Sequence, residues 1–110
     1  MNWDHFYSER RDGFDIDVFV APEGDDPADH FDDCCADAVE AIREGRLQWF
    51  MVKVTASRLG LIIGADYLGG CCYASAREFL DDDYYDDMVA EAIQAAREKL
   101  ARLREMEETK

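Results

Sequence analysis

The chain has 110 residues, 26 of them acidic and 12 basic, so its formal net charge is −14 at pH 7. This length fits a single domain, and 48% apolar residues are enough to build one core. The charge argues against direct binding to nucleic acid or to an anionic membrane, because both need clustered Lys and Arg.

The first predicted element is a half-buried strand over residues 14–20. Apolar and polar residues alternate there, which puts Asp15 and Asp17 on the open face. Turn residues follow from Pro22 to Pro27. Apolar residues then recur at helical spacing, which predicts a first helix over residues 29–44 that ends at Gly45.

Two apolar, β-branched and aromatic runs, Leu47–Ala56 and Leu59–Leu68, predict an antiparallel hairpin that turns at Ser57-Arg58. Gly69-Gly70 is expected to end the second run, and the glycines of residues 64–70 to make a bulge or a turn. The first run is partly apolar on both faces. We therefore expect either the C-terminal helix or a partner to cover the second face of the sheet.

Two helices are predicted at the end of the chain. Ser75 and Glu78 have the spacing of a capping box, which starts a short helix that runs through Leu80. The acidic residues 81–83 can cap a longer helix over residues 84–107. That helix carries a narrow, heptad-like seam, which either packs on the sheet or pairs with a second copy as a homodimer. The seam consists of Val89, Ile93, Ala96, Leu100 and Leu103.

Together these elements predict a single α+β domain over residues 1–110. A three-stranded antiparallel sheet packs against helices, in the order β-α-β-β-α-α. No apolar run reaches the roughly 18 residues of a membrane span, and the first residues do not resemble a signal peptide. We therefore expect a cytoplasmic protein whose cysteine pairs, Cys34-Cys35 and Cys71-Cys72, stay reduced.

The acidic residues are concentrated in residues 1–44, with 14 acidic and 3 basic residues, and in residues 81–87, with five acidic and no basic residues. Along the predicted first helix, five carboxylates follow one another every three or four residues. Like charges at this spacing destabilise a helix by roughly 0.2–0.5 kcal/mol per pair. Carboxylates that destabilise their own helix without compensating basic residues indicate a functional role for them.

Three interpretations of the acidic residues remain open: a solvated face, a DNA-mimic surface for a basic nucleic-acid-binding protein, and a divalent-cation site. The candidate partner-binding residues are Asp15, Asp17, Asp29, Asp33, Asp37, Glu40, Glu44, Asp81, Asp82, Asp83, Tyr84, Tyr85, Asp86 and Asp87.

The sequence gives only weak indications of a metal site or a catalytic site. Residues 81–87 lack the loop pattern of an EF-hand, and adjacent cysteines lack the Cys-x-x-Cys spacing of zinc sites. The two histidines do not form a recognisable nucleophilic arrangement with Ser or Cys. We therefore expect no enzyme, no cofactor and no metal site.

Val52–Ser57, Gly60, Gly64, Asp66–Tyr73 and a helix opening with Tyr84–Val89 resemble a group of small acidic proteins encoded by phages and other mobile elements. The similarity covers most of residues 14–100. Proteins of this kind include inhibitors of restriction and CRISPR systems, several of them DNA mimics. The resemblance implies an anti-defence role in the host cytoplasm, with a phage structural or assembly protein as the alternative.

Overall fold

The computed structural model describes residues 3–24 and 36–108. Its strands form one antiparallel sheet in the order β1-β2-β3-β4. The α+β class is confirmed, but the three-stranded sheet is wrong, because the described order is β-β-α-β-β-α-α. The elements are β1 (Asp4–Arg11), β2 (Phe14–Pro22), α1 (Ala36–Arg43), β3 (Gln48–Arg58), β4 (Leu61–Tyr73), α2 (Ala76–Leu80) and α3 (Asp83–Glu108).

The strand missing from the sequence prediction is β1. It lies at the edge of the sheet, pairs with β2, and is mostly polar and exposed. Edge strands commonly carry charged side chains that discourage pairing with other chains. A register shift between His5 and Tyr7 also interrupts the alternation of the two faces. The period-of-two signal that identified β2 is therefore absent from β1.

One face of the sheet forms the core with α3. Phe14, Ile16 and Val18 of β2 are buried there, as are alternate residues of β3. Val89 and Ile93 of α3 are buried against them, together with Ala96. The first three residues of the seam thus pack on the sheet, which is one of the two predicted arrangements.

Gly64 of β4 lies directly under α3. A Cβ atom at this position would be 2.1 Å from the Ala92 carbonyl oxygen and 2.7 Å from the Ala96 nitrogen. Such distances are far below van der Waals contact, so the close packing of helix on strand requires glycine here. The register shifts beside Gly64, between the partners of Ala56 and Ser57, so the predicted bulge is confirmed.

A second bulge interrupts β4 at Gly69-Gly70, opposite Met51 of β3. Gly70 has a φ of +67°, which few residues other than glycine adopt. The prediction that the strand ends at these glycines is wrong, because β4 continues to Tyr73. The bulge preserves pairing beyond the break, so the glycines bend the strand and do not end it.

Both hairpin turns lie at the same end of the sheet. The β3–β4 turn is at Leu59-Gly60, two residues later than predicted, and its φ values of 55° and 79° suit a two-residue turn with positive φ at both positions. The β1–β2 turn at Asp12-Gly13 has similar values, 55° and 84°. Arg97 of α3 forms an ion pair with Asp12 at 3.7 Å. We define the hairpin end as residues 10–15, 57–62 and 97–108.

The helix boundaries are partly as predicted. The described part of the first helix runs from Ala36 to Arg43 and ends before Gly45, whereas residues 29–35 lie outside the described part of the chain. The Ser75 hydroxyl makes no capping bond to α2, although Glu78 accepts the Ala74 N–H at 3.3 Å. Among the described residues, no helix is both long and apolar enough to cross a membrane.

Candidate partner-binding surface

Two acidic segments connect to the end of the sheet opposite the hairpin turns. Gln48 of β3 pairs with Tyr73 of β4 at that end. Four residues separate α1 from Gln48, and residues 81–87 follow closely after Tyr73. We call the exposed carboxylates of these segments the acidic end, although Asp86 also reaches Arg11, beside the β1–β2 turn. They are Asp37, Glu40, Glu44, Asp81, Asp83, Asp86 and Asp87.

Most carboxylates of the acidic end are not neutralised within the described structure. Glu44 accepts a hydrogen bond from Arg46 Nε at 2.8 Å, and Asp86 pairs with Arg11 at 3.2 Å. Across residues 3–24 and 36–108, no ion pair involves the other five, Asp37, Glu40, Asp81, Asp83 and Asp87. This surface can therefore attract a cationic partner.

The residues between 81 and 87 divide into exposed and structural ones. Asp82 is half-buried and accepts the Tyr73 hydroxyl at 2.9 Å and the Tyr84 N–H at 3.3 Å. Burial, together with the bond to Asp82, raises the pKa of Tyr73. Tyr84 is 58% exposed, whereas Tyr85 is 3% exposed. Tyr84 is thus accessible to a partner, and Tyr85 belongs to the core.

A hydrogen-bond network holds the start of α3 against β1. Tyr85 donates its hydroxyl to Glu9, and Arg11 donates to the same carboxylate through Nε at 3.0 Å and Nη2 at 3.2 Å. Burial lowers the pKa of Arg11, but the bonds to Glu9 and Asp86 outweigh it, so the pKa is raised. Burial and the bond to Glu9 raise the pKa of Tyr85. Within this network, Arg11 remains cationic and Tyr85 protonated.

The network lines a cleft of about 370 Å³. Arg77 of α2 and Asp81 also line it, with Tyr7 and Leu80. Its charged groups have both signs. The cleft is continuous with the acidic end, because Asp81 and Asp86 belong to both.

Asp15 and Asp17 lie apart from the acidic end. They are on the sheet face opposite α3, because their neighbours Phe14, Ile16 and Val18 face the core. Asp15 forms an ion pair with Arg10 at 3.3 Å. Asp17 has other partners, so the structure does not join these two residues with Asp81–Asp87 in one surface.

Asp17 forms a small cluster with Ser8 and His5, which the sequence analysis did not recognise. Ser8 Oγ donates to Asp17 Oδ1 at 2.7 Å, and His5 Nε2 lies 2.9 Å from the same oxygen. The Ser8 bond and the contact with His5 lower the pKa of Asp17, although burial opposes them. Ser8 pairs directly with Asp17 across the two strands, which explains how residues nine apart meet.

The Ser8–His5–Asp17 cluster differs in geometry from a nucleophilic triad. His5 Nε2 contacts both Ser8 Oγ, at 2.8 Å, and the Asp17 carboxylate. In a triad the carboxylate binds one ring nitrogen and the nucleophile the other, so that the imidazole can accept a proton from the hydroxyl. A shared nitrogen cannot perform that transfer. The cluster instead fastens β1 to β2.

The described cysteines and carboxylates do not suggest a metal centre. Burial, with a smaller effect of Glu23, raises the pKa of Cys71 to about 11, so its thiol remains protonated and is a poor metal ligand. Across the described residues, no group of three or more His, Cys, Asp or Glu is arranged to hold a metal ion. Cys34 and Cys35 lie outside the described residues, as do Asp29 and Asp33.

Comparison of the chain with protein-family models, with curated proteins and with solved structures found no match.

Proposed function

We propose that the protein is a non-enzymatic inhibitor, which presents its acidic end to the basic groove of a nucleic-acid-binding complex in place of nucleic acid. The observation that carries this proposal is the group of five exposed carboxylates without a described cationic partner. The resemblance to small acidic proteins of mobile elements favours a host defence complex, either a CRISPR effector or a restriction enzyme, as the partner.

The start of α3 carries closely spaced negative charge. Asp86 and Asp87 lie three and four residues after Asp83, so each is a neighbour of Asp83 on the helix surface. Their span of four residues corresponds to a rise of roughly 6 Å. A DNA strand carries one phosphate per about 3.4 Å. Because Asp86 pairs with Arg11, the unpaired charges of Asp83 and Asp87 are about 6 Å apart along the helix axis, which is sparser than one DNA strand, and Asp81 adds a further unpaired charge just before the helix.

The helix dipole offers a competing explanation for part of this surface. Acidic residues at the N-terminus of a helix stabilise it by about 0.3–1 kcal/mol each. This accounts for Asp83 without any partner. It does not account for Glu40, which lies in the second half of α1, or for Glu44, just beyond its end. Stability and partner binding must therefore be measured separately.

The test compares two triple variants in the full chain. Asp81→Asn, Asp83→Asn and Asp87→Asn together remove three charges from the acidic end. Glu105→Gln, Glu107→Gln and Glu108→Gln remove three charges from the other end of the same helix. Each variant is titrated against labelled duplex DNA bound to a CRISPR effector or a restriction enzyme. We expect the first triple variant to displace DNA at least about tenfold less effectively, and the control to stay within about twofold of wild type.

The displacement should also weaken as salt is raised. Exposed charges more than about 8–10 Å apart are largely screened at physiological ionic strength, and screening slows association more than it speeds dissociation. Circular dichroism verifies that both variants are folded. Equal loss in both triple variants, or an affinity that does not change with salt, would contradict the proposal.

A second candidate function is a structural or assembly protein of a phage, with the acidic residues serving solubility. The observation that favours it is the group of exposed apolar side chains at the hairpin end, where Leu59 is 95% exposed. In that case the acidic triple variant would leave the assembly contact intact, whereas substitutions at the hairpin end would abolish it.

A further inference from the structure

The sheet has an open edge along β4. Within residues 3–24 and 36–108, β4 pairs with β3 alone, so its outer side has no strand partner. Every second residue of an antiparallel edge strand directs its N–H and C=O groups away from the sheet, where they can pair with another chain. The opposite edge strand, β1, contains four charged residues and a histidine among eight residues, whereas the 13 residues of β4 contain one charged residue, Asp66. Because charged side chains discourage pairing at an edge, β4 is the better acceptor of an added strand.

The strand β4 is regular over enough residues to pair with an added strand. Its two bulges flank residues 64–68, which pair one to one with residues 52–56 of β3. A strand of about five residues is close to the average in globular proteins. A groove of about 320 Å³ continues along residues 68–73 of β4 and is bounded by Tyr84 of α3. Among the described residues, none of β3 lines this groove, so it lies along the outer side of β4.

One flank of α3 lies above this open edge. Arg97 forms its ion pair with Asp12 of the β1–β2 turn, so the flank that carries Arg97 faces β1. The helix turns by about 100° per residue, which puts Tyr84 and Glu91 on the other flank, on the side of β4. The position of Tyr84 beside residues 68–73 agrees with this orientation. The groove is therefore bordered by the edge of β4 and by the Tyr84–Glu91 flank of α3.

Unpaired negative charge borders the same edge. Asp66 lies two residues after Gly64, so its half-buried side chain is on the face of β4 that carries α3. Glu91 is exposed on the flank above. Across the described part of the chain, neither carboxylate forms an ion pair. A second copy of this chain that paired through β4 would bring these charges against their own counterparts, whereas Lys and Arg side chains would be attracted.

We propose that β4 accepts an extended basic segment of a partner protein as a fifth strand of the sheet. The backbone of that segment pairs with residues 64–68, and its side chains alternate between the two faces. Lys or Arg side chains on one face meet Asp66 and Glu91. Apolar side chains on the other face contact Tyr67, which is 64% exposed. This site goes beyond the proposed function and does not rest on it, because Asp66 and Glu91 lie outside the acidic end.

The probe for this site is a synthetic peptide of alternating Lys and Val, about ten residues long, titrated into the full chain and followed by NMR. We expect a dissociation constant on the order of tens of micromolar, in the range of weak specific association. Backbone amides of β4 should exchange their hydrogens more slowly when the peptide is bound, whereas those of β1 should not change. The same peptide with N-methylated backbone amides keeps its charge but cannot donate main-chain hydrogen bonds, so it should bind at least about tenfold more weakly.

Two double variants separate the open edge from general electrostatic attraction. Asp66→Asn with Glu91→Gln removes the two charges beside β4 and should weaken peptide binding roughly tenfold. Asp4→Asn with Asp15→Asn removes two exposed charges from β1 and β2, at the other side of the sheet, and should change the dissociation constant by less than about twofold. Circular dichroism of each variant confirms that it is folded before binding is interpreted.

The proposed site is wrong if the peptide does not bind. It is also wrong if the N-methylated peptide binds equally well or if both double variants lose the same affinity, because binding would then reflect net charge alone. Slower exchange at β1 would place the added strand at the other edge. A chain that sediments as a dimer, with its β4 amides already protected without peptide, would identify a second copy as the occupant. The DNA-displacement test uses other carboxylates, so either proposal can fail while the other holds.

Discussion

The carboxylates at the two ends of the molecule differ in whether they have ion-pair or hydrogen-bond partners. At and near the hairpin end, Asp12 pairs with Arg97, Asp15 with Arg10, and Asp17 with Ser8 and His5. At the acidic end, Asp81, Asp83 and Asp87 have no ion pair within the described residues. Exposed carboxylates without an ion pair in the described residues also occur elsewhere, at Asp4, Glu91 and Glu98, so the contrast lies in how densely Asp81, Asp83 and Asp87 are grouped.

Exposed apolar side chains are concentrated at the hairpin end. The hairpin end exposes Leu59, Leu61 and Ile62, whereas the acidic end exposes Tyr84 among its carboxylates. Tyrosine suits contact with a polar partner because its ring is apolar and its hydroxyl can form hydrogen bonds. The two ends therefore differ in composition, and α3 connects them.

The largest expected effect comes from separating α3 from the sheet. Gly64→Ala places a methyl group against the backbone of α3, where the Ala92 carbonyl oxygen is only 2.1 Å from the new Cβ. Neither backbone can move without disturbing the core, so we expect a loss of about 3 kcal/mol or more in the free energy of unfolding, measured by urea denaturation.

Gly24→Ala is the matched control for Gly64→Ala, because no atom lies within 4 Å of its added Cβ and its φ is not positive. It should change stability by less than about 0.5 kcal/mol. If Gly64→Ala were equally mild, α3 would not be held tightly on β4. The two ends would then not be joined by a rigid helix.

A smaller effect is expected at the network that fixes the acidic end to β1. Tyr85→Phe removes the hydroxyl that donates to Glu9, leaving Arg11 as the partner of that carboxylate. Hydrogen bonds to charged groups contribute about 1.5–3 kcal/mol, so we expect a loss near the lower limit, because Glu9 keeps a partner. Urea denaturation of Tyr84→Phe provides the control, which should be close to neutral. Equal stabilities for the two variants would show that the network does not hold α3 in place.

Much of the fold could be predicted from the sequence because its signals are local. Alternation identified β2, and the recurrence of Val89, Ile93 and Ala96 identified the face of α3 that is buried. The strand β1 gave no such signal, because an edge strand exposes most of its side chains. The β3–β4 turn was predicted two residues too early, because Leu59 adopts positive φ, which is uncommon for leucine.

The candidate surface was less predictable. The sequence shows where acidic residues are concentrated, but not which of them are neutralised. Arg11 and Asp86 are 75 residues apart and meet only because α3 packs against the end of β1. Tyr84 and Tyr85 are adjacent and were predicted to act alike, yet the helix buries one and exposes the other. Which carboxylates are neutralised and which tyrosine is buried depend on tertiary packing. A count of charges along the sequence gives no information on that packing.

The smallest expected effect concerns a carboxylate that has partners. The Ser8 bond and His5 hold the pKa of Asp17 below its ordinary value. The ionised form is therefore favoured by folding, and its contribution to stability is present above the unfolded pKa and is lost as the pH falls through the folded pKa. Ser8→Ala should raise the pKa of Asp17 toward the ordinary value and reduce the stability lost in acid. An NMR titration of the Asp17 carboxyl carbon measures the shift, with Ser75→Ala as a control because the Ser75 hydroxyl makes no capping bond. An unchanged pKa in Ser8→Ala would mean that this carboxylate is not held by Ser8, and the contrast between the two ends would then rest on the Asp12 and Asp15 ion pairs alone.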